Sequence, residues 1–179
     1  MLRLLAPSRE RLAGYAAALE TGWSPDNTGD VGAAQLAAIR RDPDAFLLEL
    51  TRQDGMYTRP SGERVPRLPN RVLWLDDGEF CGAINLRWVA GSDALPDYVS
   101  GHVGYAVVPW KRRRGYATRA LGLLLPIARG VGLRQIEITC DDDNEASRRV
   151  ILANGGAHIG TRPGGRADAA KLVFRIALG

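Results

Sequence analysis

The stretch KRRRGYATRALGLLL, residues 111–125, decides the reading of this chain. Just upstream, His102–Val108 (HVGYAVV) is apolar, aromatic and β-branched, which predicts a strand. Pro109 closes it. From Ala117 onward the apolar residues Ala117, Ala120, Leu121, Leu124 and Ala128 fall at helical spacing. An extended run therefore stops, a basic turn follows, and a helix begins.

The start of a helix leaves backbone N–H groups without internal partners and carries partial positive charge. Gly115 opens backbone conformations closed to other residues, and Ala117 is small. With Arg112, Arg113 and Arg114 adding full charges, the turn suits a pyrophosphate. An ordinary basic loop joining strand to helix is the plain alternative.

A second block follows the same plan. Gln135–Cys140 reads as a strand, and DDDNEASRRVILANGG (141–156) carries Asn144 as a helix cap and Asn154-Gly155 as its end. The R-x-x-G-x-A of Arg112–Ala117 and the N-x-x-S of Asn144–Ser147 together resemble the acetyl-CoA blocks of the Gcn5-related N-acetyltransferase (GNAT) superfamily, in its order and spacing. The resemblance covers roughly residues 101 to 160. It implies a mixed, largely antiparallel sheet flanked by helices, with two splayed central strands. It also implies acetyl-CoA as co-substrate, bound between the central strand and the strand ending at Cys140. The pantetheine arm would run along the backbone of Tyr105, Ala106, Val107 and Val108. The pyrophosphate would meet Arg112, Arg113, Arg114, Gly115, Tyr116, Ala117 and Thr118, and Asn144 and Ser147 would touch the cofactor from the next helix. Each of those two is equally explained as a helix-start residue.

The activity implied is N-acetyl transfer to a primary amine by direct attack on the thioester. An ammonium cannot attack, so a base or water must take its proton. His102, Glu137 and Asp141 are the candidate bases, and removing His102 is expected to flatten the alkaline-rising limb of the rate profile. Many family members place a tyrosine seven residues after the asparagine, as an acid for the leaving thiolate. Ile151 stands there, and Gly156 replaces the usual aromatic. Ser147, water or no acid remain open. Trp23 and Arg87 are candidate acceptor-binding residues; a loop anchor and a solvent-facing arginine are their plain readings. No metal is expected.

Two rival functions remain. One is an acetyl-CoA-binding sensor without catalysis. The other is a basic nucleic-acid-binding module using Lys111–Arg114, although Tyr116 is the one aromatic in that turn. No phosphate-binding loop of the G-x-x-x-x-G-K type and no dinucleotide fingerprint occur.

Bulk properties fit a single domain spanning 1–179 with an ordinary core. Hydrophobic residues are 45% and charged residues 25%, with a net charge of +4 that an anionic cofactor would explain. Cys81 and Cys140, the two cysteines, read as buried free thiols. The absence of a long apolar stretch argues against a signal peptide or bilayer span, and the expectation is a cytoplasmic protein. A homodimer could form through hairpin edges or the C-terminal strands.

In chain order, Met1–Pro7 reads as a strand and Ser8–Glu20 as a helix. Residues 21–30 form a loop, and Val31–Arg41 is a second helix broken at Asp42-Pro43. A short helical segment follows over Ala45–Arg52, then a loop over 53–70 rich in glycine and proline. Arg71–Leu75 and Phe80–Val89 pair across the Asp77-Gly78 turn. Pro126 is expected to kink or end the helix that starts at Tyr116. Ala157–Thr161 and Lys171–Leu178 make the last strand pair, around a loop over 162–170. Helices alternate with strands and hairpins, which indicates an α/β or α+β fold.

Overall fold

The computed structural model describes residues 1–26, 31–58, 62–163 and 170–179. In chain order the elements are β1 (Arg3–Leu5), α1 (Leu12–Glu20), α2 (Gly32–Arg41), α3 (Pro43–Leu50), β2 (Met56–Thr58), β3 (Arg64–Pro66), β4 (Asn70–Asp76), β5 (Phe80–Arg87), β6 (Val103–Val107), α4 (Tyr116–Gly130), β7 (Gln135–Asp141), α5 (Glu145–Ala153), β8 (Ala157–Pro163) and β9 (Ala170–Ala177). Four strands pair in the order β1-β4-β5-β6 and three in the order β7-β9-β8, all antiparallel. The loops over 21–30, 53–70 and 162–170 extend partly outside the described residues.

Alternation along the strands sorts side chains between two cores. On one face, Leu73, Leu75, Ile84 and Leu86 meet Leu121 and Leu124 of α4, Ile151 of α5, and Ile136, Ile138 and Phe174 of the second sheet. This core holds the two sheets together through the helices. On the other face, Trp74 and Ala83 meet Tyr15, Trp23, Ile39 and Phe46 from the N-terminal helices and their loop. No helix among the described residues is long and apolar enough to cross a membrane.

Three sequence expectations change. Residues 53–70 are not all loop: β2 and β3 pair within them, from Met56↔Pro66 to Thr58↔Arg64. Both strands are short and mostly exposed, so no apolar alternation marks them. α4 continues through Pro126 to Gly130, because Leu121 and Leu124 before the proline and Ala128 after it are all buried in one core. Packing outweighs the lost hydrogen bond. Finally, Asp42 does not merely stop α2. Its carboxylate accepts from the amides of Asp44 and Ala45 at 3.1 and 3.0 Å, and Pro43 takes the first position of α3.

Candidate functional site

The two sheets meet where β6 and β7 come together, and they meet at one clip. The His102 N–H donates to the Glu137 carbonyl at 2.7 Å, and the Glu137 N–H donates back to His102 Nδ1 at 2.9 Å. Gly101 lets the chains approach: a Cβ there would sit 3.0 Å from the Glu137 carbonyl oxygen. Beyond the clip β6 and β7 share no ladder among the described residues. The Arg87 N–H bonds to the His102 carbonyl and the Val108 N–H to the Cys81 carbonyl, so even-numbered residues of this segment face β5. By alternation the N–H and C=O of Tyr105 and Val107 point away from β5, along an open strand edge. Ala106 and Val108 turn their backbone to β5 and their side chains to the second core. Within the stretch Tyr105–Val108 assigned to the cofactor by resemblance, these two residues turn their backbone polar groups away from the open edge.

The basic turn lies at the end of this edge. Arg113 and Gly115 have φ of 61° and 74°, left-handed conformations separated by one residue. Such a turn gathers successive N–H groups into a concavity. Gly115 is the N-cap of α4, and no side-chain cap covers the amides of Tyr116, Ala117 and Thr118. A Cβ at Gly115 would meet nothing within 4 Å, so the positive φ rather than crowding explains the glycine. Arg112, Arg113 and Arg114 are exposed, and Arg112 Nε donates to the Val107 carbonyl at 3.2 Å.

Lys111 does not belong with these three. It is buried, with Nζ 3.1 Å from Asp77 and 2.9 Å from Glu79 in the β4–β5 turn. The Tyr116 hydroxyl donates to the same Asp77 carboxylate. That bond, followed by the bond from Lys111, outweighs burial and holds Asp77 well below the usual carboxylate range. The Tyr116 side chain is thus used within the fold, and its backbone amide is what faces the concavity. Sequence reading found the hairpin turn at Asp77 but not its grip on the basic turn, since nothing in the sequence tells which way Lys111 points.

At the head of α5, Asn144 Oδ1 caps the helix by accepting the Ser147 N–H at 3.0 Å. The Ser147 hydroxyl pairs with the Tyr105 hydroxyl at 2.7 Å, spanning from β6 to the first turn of α5. Burial pushes the Tyr105 phenol up to about 12. Ile151 is fully buried. Asn154 Nδ2 donates to the Thr118 carbonyl at 3.1 Å and ties α5 to the first turn of α4.

The three candidate bases are all engaged. His102 is buried, and its Nδ1 lone pair is taken by the Glu137 amide, which places the proton of the neutral ring on Nε2. Burial lowers its pKa. Glu137 pairs with Arg175 and Arg162, each at 2.9 Å; these bonds outweigh its burial and lower its pKa. Asp141 pairs with Lys171 at 2.8 Å. Trp23 is 4% exposed, edge-on to Tyr15 and Phe80, so it anchors its loop to the core and has little surface left for a ligand. Arg87 lies partly buried over β6, beside Gly104.

Comparison with known proteins fits this geometry. The family model described as "Acetyltransferase (GNAT) domain" matches residues 33–157. Among solved structures, the microcin C7 self-immunity acetyltransferase MccE, in complex with acetyl-CoA and AMP, is similar with a TM-score of 0.66 at 11% identity, covering 98% of this chain and 92% of that one. RimL, a ribosomal L7/L12 α-N-protein acetyltransferase in complex with coenzyme A, gives 0.65 at 15% identity, over 98% and 93%. An acetyltransferase from Salmonella typhimurium that modifies the N-terminal serine of L7/L12 gives 0.62 at 14%, over 98% and 94%. No curated protein sequence matches the chain.

Proposed function

The chain belongs to the GNAT acetyltransferase family, and on that premise we propose that it transfers acetyl from acetyl-CoA to a primary amine. The observation that carries this is that the open edge of β6 runs into the basic turn at the uncapped start of α4. In this reading the amides of the 112–118 turn hold the pyrophosphate, and Arg112, Arg113 and Arg114 add charge. The edge groups of Tyr105 and the Val107 N–H hold the pantetheine arm, the Val107 carbonyl being taken by Arg112. The structures named as complexes with acetyl-CoA or CoA support the assignment.

The amine nitrogen attacks the thioester carbonyl carbon. The C–N bond forms, the C–S bond breaks, and an N–H of the β6 edge donates to the oxyanion between those events. We assign no side chain as base. The lone pair of His102 is occupied, and Glu137 and Asp141 are ion-paired, so the amine gives its proton to water. The thiolate leaves with a hydrogen bond from the Ser147 hydroxyl, itself paired with the Tyr105 phenol, and takes its proton from water, so that both hydroxyls keep theirs at neutral pH.

Buried Ile151 and three engaged candidate bases also favour a second reading, an acetyl-CoA sensor. Calorimetric titration with acetyl-CoA, followed by free-thiol release across an amine panel, separates the two. Binding with amine-dependent thiol release supports the enzyme, binding without release selects the sensor, and no binding overturns both. The hairpin anchor gives a further expected outcome. Asp77→Ala frees the Tyr116 hydroxyl and leaves Lys111 held by Glu79 alone, and should weaken acetyl-CoA binding about five- to tenfold although Asp77 itself is assigned no contact with the cofactor. Unchanged affinity by calorimetry would mean that the turn holds its shape without the anchor.

A further inference from the structure

Among the described residues, Arg87 is a guanidinium with no counter-ion in direct contact. It ends β5, and its N–H bonds to the His102 carbonyl beside the clip. Its head group lies against β6 in room that a glycine leaves: a Cβ on Gly104 would come 3.3 Å from Nη2. Among the described residues its one side-chain hydrogen bond is long, 3.4 Å from Nη2 to Asn85 Oδ1, and that oxygen already accepts the Gly104 N–H at 2.8 Å. Nε is shut off from solvent without a partner. Among the described residues no carboxylate forms a salt bridge with Arg87. Asp26 and Tyr57 act on it through space, and burial lowers its pKa. Glu137, on the far side of the clip, is already neutralised by Arg162 and Arg175.

A charge desolvated without a partner destabilises a fold, and an apolar side chain of the same length would avoid that cost. Such violations of packing logic concentrate at functional sites. The guanidinium also lies against β6, the neighbouring strand whose open edge is assigned to the thioester arm. We infer that Arg87 binds an anionic group, carboxylate or phosphate, on the acceptor, so that the substrate is an amine that also carries an acid. This rests on the acetyl-transfer reading and names the acceptor class within it.

The test uses matched acceptors: amino acids against their amides, and phosphorylated amines against the parent amino alcohols. The wild-type protein should prefer the acid-bearing member of a pair by about 10- to 100-fold in kcat/KM, the range expected for charge-assisted hydrogen bonds. Which pair responds tells carboxylate from phosphate. In Arg87→Met the preference should collapse toward unity through KM, with acetyl-CoA affinity unchanged and Tm equal or higher. Arg87→Lys should restore part of the preference. Equal use of both members by the wild type, or a preference that survives in Arg87→Met, would overturn the inference. So would a large fall in Tm in Arg87→Met, which would mark the guanidinium as structural. If no amine is turned over, the transfer reading fails separately. Calorimetric binding of the acid-bearing amines to wild type and Arg87→Met then decides the role of Arg87 alone.

Discussion

Gly115→Asp will cut acetyl-CoA affinity by at least about 100-fold, roughly 2.7 kcal/mol, while the protein remains folded. The two halves of that expectation have separate causes. Gly115 has a φ of 74°, and a Cβ there meets nothing within 4 Å. Aspartate visits the left-handed region more readily than most residues, so folding loses about 1 kcal/mol. The new carboxylate, however, stands at the head of α4 among the amides assigned to the pyrophosphate, where it opposes a like charge. Gly115→Ala is the control: it carries the backbone cost without the charge and should bind within about tenfold of wild type. Calorimetry with a parallel melting curve reads both quantities. Wild-type affinity in the aspartate variant would remove the cofactor from this turn.

The same turn was the most legible part of the sequence, because its signal is local. A strand ending in proline, an arginine run and a glycine lie within 15 residues, and the structure places β6, the turn and α4 at those positions. The α5 block was legible for the same reason, and Asn144 caps the helix as its spacing implied. What escaped the sequence depends on partners far along the chain. Lys111 reads as one of four cations until Asp77, 34 residues away, turns it inward. Tyr105 reads as strand backbone until Ser147, 42 residues away, takes its hydroxyl. The β2–β3 hairpin was hidden because exposed three-residue strands need no apolar pattern. Of the two outcomes open at Pro126, a kink or an early end, the early end does not occur, because local propensity ignores the core that α4 lies on.

His102 is read here as the clip between the sheets rather than as the base, and its variants test that reading. His102→Ala is expected to lose about 3 kcal/mol of stability, because it leaves a Glu137 amide without an acceptor inside the joint between the sheets and opens a cavity. For a chain of this size that is roughly 6–12 °C in Tm. His102→Asn should recover most of the loss, since the amide oxygen can replace Nδ1 as acceptor. The two differ from wild type in pH dependence. The unfolded imidazole binds a proton below about 6.5, its ordinary value. In the folded protein a proton on Nδ1 must displace the Glu137 amide and put charge into a buried site, which also feels Glu137, Asp93 and Arg87. The folded pKa is therefore lower, and between the two values the unfolded chain holds more protons. Stability should be complete above about pH 6.5 and fall as the pH drops through that window. Glu137 and Asp77 are also held low, but their losses begin only below 4.5 and 3.8, their ordinary values. His102→Asn should lack the fall between pH 6.5 and 4.5 while keeping an alkaline-rising rate profile, the limb that would flatten if His102 were the base. Urea unfolding at a series of pH values, with initial rates on the same samples, reads both. A flattened rate limb in the asparagine variant, with wild-type pH dependence of stability, would return His102 to catalysis and end its role as the clip.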